Sequence, residues 1–108
     1  MPTMLTLDTA RCSAGKLTLT AAGEIDLSNV DAFDQALSAA TAELTPSGET
    51  LTVDLTAVEY LDSAAINALF NCADHIRLIA HPLLMPVLTI SGLSELVIVE
   101  PAPPAAQP

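Results

Sequence analysis

The apolar and polar positions of this chain alternate in several short stretches, and this pattern predicts five β-strands. Apolar residues recur at every second position or run together briefly, as expected of strands that bury one or both faces. Ala14-Gly15 separates the first two stretches and predicts a turn, so these two strands should form a hairpin. The predicted strands are residues 4–7, 17–20, 51–55, 76–80 and 96–99.

Helical spacing of apolar residues predicts a first helix after the hairpin. Ser28 is its expected N-cap, and Asp31, three residues later, is the expected capping-box partner. Apolar residues then lie on or near one helical face, and Pro46-Ser47-Gly48 should end the helix. The apolar positions of this face are Val30, Phe33, Leu37 and Leu44.

Two further helices are expected later in the chain. One begins at Asp62-Ser63, and the other begins at Pro82 and ends at Ser91-Gly92. Residues 83–90 of the third helix are apolar nearly all round, which predicts a hydrophobic contact surface in so small a domain. Pro86 should kink this helix unless it lies in the first turn, because proline lacks the N–H donor.

The order of these elements is β-β-α-β-α-β-α-β, which predicts the α/β fold class. Alternation of strands and helices implies a mixed β-sheet with three helices packed on it. The chain has 108 residues, enough for one domain, which we expect over residues 1–100. Residues 101–108 contain four of the eight prolines and predict a disordered tail.

The charge of the chain is strongly negative. Three basic residues face thirteen acidic ones, giving a formal net charge of −10. Such a surface repels phosphate backbones and anionic lipids, so we expect no direct nucleic-acid binding and no binding to anionic membranes. Membrane insertion is not expected either, because the most apolar segment, Leu83 to Val99, is interrupted by polar residues and proline. The acidity either keeps an apolar domain in solution or attracts a partner with a basic face. The partner class is therefore protein, with weak homodimerisation as a further possibility.

The sequence contains no pattern typical of an enzyme. There is no GxSxG segment, no glycine-rich phosphate loop and no metal-ligand spacing among the cysteines and histidines. We therefore expect no catalytic residue, no metal and no cofactor. Cys12 and Cys72 should be free thiols, although their separation in space, and hence a redox pair, stays open. The first residues do not resemble a signal peptide, so cytoplasmic residence is expected.

Asp62-Ser63 is the position where regulatory chemistry is conceivable. A hydroxyl at the start of a helix lies beside unpaired backbone N–H groups, which favour an anion such as phosphate. A phosphate would add about −1.5 to −2 of charge next to Asp62. The simpler interpretation is that one of the two residues caps the helix, since Ser and Asp are common caps.

Three segments resemble, in order, those of the sulphate-transporter and anti-sigma-factor antagonist (STAS) domain family. The first follows the second strand, the second joins the third strand to the Asp-Ser helix start, and the third ends the last helix. They are Gly23-Glu24-Ile25-Asp26, Leu51 to Leu55 followed by Val58 to Ser63, and Ile90-Ser91-Gly92-Leu93. The resemblance covers the chain from about Leu5 to Glu100.

The resemblance implies an anti-sigma factor antagonist that regulates transcription indirectly. Its partner would be an anti-sigma factor that is also a serine kinase, bound while Ser63 is unphosphorylated and released after phosphorylation. The implied binding residues are Asp26, Asp62, Ser63 and Ala64. The chain departs from the family pattern at Ala64 and Ala65, where a hydroxyl residue and glycine are common. The alternative is therefore a STAS scaffold module that is never phosphorylated, in a signalling assembly or a lipid-transport complex.

Overall fold

Five strands form a single mixed sheet in the computed structural model, which describes residues 4–11, 16–44 and 49–101. The strands lie in chain order across the sheet, β1-β2-β3-β4-β5. β1 is antiparallel to β2, and the other neighbours are parallel. Their bounds are β1 Leu5–Arg11, β2 Leu17–Ile25, β3 Leu51–Leu61, β4 Ile76–Ala80 and β5 Ile98–Pro101.

Three α-helices connect the parallel strands, which confirms the predicted fold class and element order. They are α1 (Val30–Ala42), α2 (Ser63–Asn71) and α3 (Met85–Ile90). A single 3-10 turn, Pro82–Leu84, precedes α3. Pro86 lies in the first turn of α3, where backbone N–H groups have no intrahelical acceptor, so the N–H that proline lacks is not needed. The helical segment therefore begins with the 3-10 turn at Pro82, while α3 itself begins at Met85, and Pro86 does not interrupt its middle.

One face of the sheet is buried by the helices. Leu19, Val53 and Leu78 lie side by side in register on β2, β3 and β4, and all three are fully buried. The opposite face carries Thr18, Thr52 and other polar or half-buried residues at the alternate positions. The predicted helix face of α1 supplies Phe33 and Leu37 to this core, while Val30 and Leu44 pack at its border.

The third strand is longer than its sequence pattern predicts. We expected a strand over residues 51–55 and a loop up to Asp62, but β3 continues to Leu61. The pairing with β2 shifts between Thr20 and Ala22 and again between Gly23 and Glu24. These irregularities break the strict alternation of apolar residues, so the sequence pattern stops before the strand does.

The expected cap of α1 is also wrong. Ser28 does not cap this helix, since its backbone N–H and its hydroxyl both donate to the Asp26 carboxylate. Asn29 occupies the N-cap position without a capping bond, and its side-chain oxygen accepts from the Asp26 N–H instead. The two side chains that could have capped α1 instead fix the loop before it.

Several predictions concern residues outside the described part of the chain. These are the turn at Ala14-Gly15, the helix stop at Pro46-Ser47-Gly48, the Cys12 thiol and residues 102–108. Pro101, which the sequence pattern assigns to the tail, is the last residue of β5 and pairs with Ala80.

Candidate functional site

Asp62 joins the two loops at the carboxyl ends of β2 and β3. One of its carboxylate oxygens, Oδ1, accepts hydrogen bonds from the N–H groups of Ala64 (2.9 Å) and Ala65 (3.2 Å). The other, Oδ2, accepts from the Leu27 N–H at 3.0 Å. Asp62 therefore caps α2 and also holds the loop between β2 and α1.

Asp26 stabilises the loop between β2 and α1 by hydrogen bonds within that loop. Its carboxylate accepts from the Ser28 N–H at 2.9 Å and from the Ser28 hydroxyl. The Asn29 side chain completes the loop by donating to the Glu24 carbonyl. Because β2 and β3 are parallel neighbours, their carboxyl ends meet at one edge of the sheet, which brings Asp26 and Asp62 together.

Ser63 is the first residue of α2 and is exposed. Its hydroxyl makes no hydrogen bond within the described residues. The sequence predicted unpaired helix N–H groups beside this hydroxyl, but Asp62 already binds those of Ala64 and Ala65. A phosphate on Ser63 would therefore project into solvent next to a fixed carboxylate, instead of being bound by the helix terminus.

Ala64 lines a groove of about 180 Å³ between α1 and α2. Its lining includes Asp31 and Asp34 of α1 on one side and Asn67 and Asn71 of α2 on the other. On α2 the groove is lined by the small side chains of Ala64 and Ala68 as well as by these amides, and Ala64 directly follows Ser63. The surface around Ser63 is therefore acidic and rich in hydrogen-bonding groups on its helical side.

Two exposed apolar residues at this edge were missed by the sequence analysis. Leu27, whose N–H binds Asp62, is 78% exposed, and Tyr60, two residues before Asp62, is 51% exposed. Rigid aromatic and large aliphatic side chains are common anchors of protein interfaces. Two sequence features could have indicated these residues: Leu27 is an isolated leucine in a polar loop, and Tyr60 is the only tyrosine of the chain.

The basic residues lie at the opposite edge of the sheet. Arg11 pairs with Leu17 at the start of β2 and forms a 2.9 Å salt bridge with Glu49. Arg77, near the start of β4, pairs with Glu100. The third basic residue, Lys16, immediately precedes β2. None of these three lysine and arginine residues, all within the described ranges, thus lies at the Ser63 edge, which carries Glu24, Asp26, Glu59 and Asp62.

The described residues offer neither a metal-binding cluster nor a membrane-spanning helix. Across residues 4–11, 16–44 and 49–101, no three His, Cys, Asp or Glu side chains are grouped to hold a metal ion. Within those ranges no helix is long and apolar enough to cross a membrane.

Cys72 is a free, half-buried thiol at the end of α2. Burial, with a smaller contribution from the Asp34 carboxylate, raises the pKa of this thiol to about 11. Only the thiolate reacts as a nucleophile, so the thiol is nearly inert at neutral pH.

In a Cys12→Ser variant, Cys72 should be alkylated by iodoacetamide at pH 8 at least about 100-fold more slowly than in the urea-unfolded chain, whose thiol pKa is near 8.5. The rate should rise about tenfold per pH unit towards pH 11, because the thiolate population rises with pH. Equal rates in the folded and unfolded chains would contradict the raised pKa.

The order of the sheet, its single layer of helices and the acidic loop pair at the ends of β2 and β3 define a STAS domain. The chain belongs to this family, since the family model described as Mlab, STAS domain, matches residues 9–99. The resemblance seen in the three sequence segments is thereby confirmed. No curated protein matches the chain significantly by sequence.

Solved structures share the fold. An anti-sigma factor antagonist from Mycobacterium paratuberculosis is similar with a TM-score of 0.79 and 24% identity, over 90% of this chain and 86% of that one. The anti-sigma factor antagonist SpoIIAA in its unphosphorylated form is similar with a TM-score of 0.67 and 15% identity, over 87% of each chain. An uncharacterised protein with a SpoIIAA-like fold from Shewanella loihica gives 0.62 and 12%, over 95% and 89%.

Proposed function

We propose that this chain is an anti-sigma factor antagonist controlled by phosphorylation of Ser63. In its unphosphorylated form it binds an anti-sigma factor serine kinase in the cytoplasm, and phosphorylation releases that kinase. The surface involved comprises Asp26, Asp62, Ser63 and Ala64. The observation that carries the proposal is the exposed Ser63 hydroxyl, presented at a helix start beside a carboxylate that three backbone N–H groups hold in place.

The position of Ser63 fits the needs of a kinase. The Ser63 oxygen would attack the γ-phosphorus of ATP, the bond to the ADP oxygen would break, and the hydroxyl proton would pass to a base of the kinase. This attack needs an accessible side chain on a rigid element, because misplacement of reacting atoms lowers the rate strongly. The first residue of a helix that is capped by its neighbour meets this requirement.

The same geometry supports release of the kinase after phosphorylation. A phosphate on Ser63 would add about −1.5 to −2 of charge next to the fixed Asp62 carboxylate. The N–H groups of Ala64 and Ala65 are occupied by Asp62 and do not neutralise it. Like charges held close together in a desolvated interface repel strongly, so the phosphorylated complex dissociates.

Incubation with the cognate kinase and ATP should add one phosphate, as read by intact mass, and Ser63→Ala should add none. Ser63→Glu should weaken kinase binding about 100-fold in titration calorimetry, because it places a permanent negative charge at the contact. Ser38→Ala, at an exposed position on α1, is the matched control and should behave as the parent chain. Retention of the phosphate by Ser63→Ala would reject the site.

A second candidate function is a STAS scaffold module that is never phosphorylated, within a signalling assembly or a lipid-transport complex. The alanines after Ser63 favour it, because Ala65 is fully buried and neither side chain offers a hydroxyl. Mass analysis of the chain from its native cells separates the two functions. Ser63 unmodified in every growth state, within a stable complex, would support the scaffold.

A further inference from the structure

The loop between β2 and α1 presents an exposed leucine on a fixed backbone. The Leu27 N–H donates to Asp62 Oδ2 at 3.0 Å, and the Asp26 carboxylate accepts from the N–H and the hydroxyl of Ser28. The Asn29 side chain accepts from the Asp26 N–H at 3.0 Å. The Leu27 side chain itself is 78% exposed. These hydrogen bonds therefore hold an apolar side chain in solvent and not in the core.

The ordering of this loop distinguishes Leu27 from the other exposed apolar residues. A single exposed leucine is ordinary on a protein surface, because polar residues cannot cover the whole surface. A loop that is ordered before a partner arrives loses less conformational entropy on binding, so the same contact gives a higher affinity. The hydrogen bonds around Leu27 therefore suit a contact residue better than a residue that only fills a loop.

Tyr60 is a second exposed side chain at the same edge of the sheet. It lies near the end of β3, in register with Glu24 of β2, and is 51% exposed. Two residues later Asp62 binds the Leu27 N–H, so two neighbouring strands and one hydrogen bond fix Leu27 and Tyr60 relative to each other. Tyrosine offers a large contact area with few rotatable bonds and is enriched among the residues that dominate binding energy. We refer to Leu27 and Tyr60 as the anchor pair.

The charge at this edge selects the occupant of the anchor pair. The three lysine and arginine residues of the chain all lie at the opposite edge of the sheet. The same edge of a second copy and an anionic membrane would both be repelled. A protein with basic residues around an apolar pocket complements both the charge and the exposed side chains. The carboxylates at the edge are those of Glu24, Asp26, Glu59 and Asp62.

We propose that Leu27 and Tyr60 anchor this chain in an apolar pocket of the anti-sigma factor kinase, and that lysine or arginine side chains of the kinase surround this pocket. The anchor pair lies at the same edge as Ser63, so this assignment rests on the proposed function. It separates two tasks: Ser63 accepts the phosphate, whereas the anchor pair sets the affinity for the partner. Contacts that are equal in the ground state and the transition state lower KM without changing kcat.

Phosphorylation kinetics of the full chain, with an anti-sigma factor kinase from the same genome, test the anchor pair. Leu27→Ala should raise KM about tenfold and Tyr60→Ala about 30-fold, with kcat unchanged in both. Leu27→Met should restore the KM of the parent chain, because it keeps the apolar volume. Leu96→Ala is the matched control, since Leu96 is 61% exposed and precedes β5 at the opposite edge, and it should behave as the parent chain.

Binding measured by titration calorimetry in a Ser63→Ala background isolates recognition from phosphate transfer. The anchor substitutions should raise the dissociation constant by the same factors as KM. Raising the salt concentration should weaken binding, because salt screens the attraction between the acidic edge and the basic residues of the kinase. An affinity that is independent of salt would overturn the basic surroundings of the pocket.

The outcomes separate the anchor pair from the proposed function. Unchanged KM in both alanine variants, with the parent chain still phosphorylated on Ser63, overturns the anchor pair alone. Weakened binding of both variants without phosphorylation of the parent chain keeps the anchor pair and rejects the switch. A parent chain that neither binds the kinase nor is phosphorylated overturns both. Circular dichroism checks the fold of each variant, and if Tyr60→Ala loses structure, Leu27→Ala decides.

Discussion

Replacing Gly23 with alanine is expected to destabilise the domain by about 3 kcal/mol or more. Gly23 has a φ of +110°, which side-chain-bearing residues rarely adopt. A Cβ at this position would lie 2.3 Å from the carbonyl oxygen of Met4. That oxygen accepts the Glu24 N–H, so it cannot move away without breaking the start of the β1–β2 pairing.

Urea denaturation of the parent chain and of Gly23→Ala measures this loss. Gly92→Ala is the matched control, since Gly92 also has a positive φ, +85°, but its added Cβ would meet open space. Backbone strain alone then costs about 1 kcal/mol. Similar losses in both variants would show that the contact with Met4 is unimportant. Gly23→Ala should also weaken partner binding, because the displaced strand end leads directly to Asp26.

Asp62→Ala should lower the free energy of unfolding by about 3 kcal/mol and abolish binding through the Ser63 surface. The substitution removes the cap of α2, which contributes about 1–2 kcal/mol, and a charge-assisted bond to the Leu27 N–H, which contributes about 1.5 kcal/mol. Three backbone N–H groups lose their acceptor. The two loops at this edge are then no longer connected by a side chain.

Asp62→Asn separates the two roles of this residue. The amide oxygen can still cap α2, but the amide nitrogen cannot accept from Leu27. We expect about half the loss of stability, and amide hydrogen exchange should accelerate at Leu27 while Ala64 and Ala65 stay protected. If Asp62→Asn matched Asp62→Ala in both measurements, the two roles of Asp62 would not be separable and the capping of α2 would also require the carboxylate.

The order of strands and helices along the chain followed from the sequence because it depends on local pattern. Alternation at 51–55 and the apolar run at 76–80 mark strands without knowledge of their neighbours. The extension of β3 to Leu61 could not be predicted in this way, since it depends on a shifted pairing with β2. The prediction that Ser28 caps α1 failed for a similar reason, because its hydroxyl donates to the Asp26 carboxylate instead of accepting from a helix N–H.

The site was predictable only as far as the family resemblance grouped its residues. The resemblance implied that Asp26 and Asp62 act together, and they lie close because β2 and β3 are parallel neighbours whose carboxyl ends meet at one edge. The division of the two Asp62 oxygens between α2 and Leu27 depends on loop conformation, which no residue pattern reveals. The exposure of Leu27 and Tyr60 could not be predicted either, because apolar residues are expected to be buried.

Because Asp62 caps α2 by itself, the identity of residue 63 has little influence on folding. An exposed side chain without a hydrogen bond among the described residues can be exchanged at a cost within about 0.5 kcal/mol. A lineage can therefore gain or lose the proposed phosphoacceptor by one substitution, with no compensating change elsewhere. A switched antagonist and a permanent scaffold are then neighbours in sequence space, separated by a single hydroxyl group.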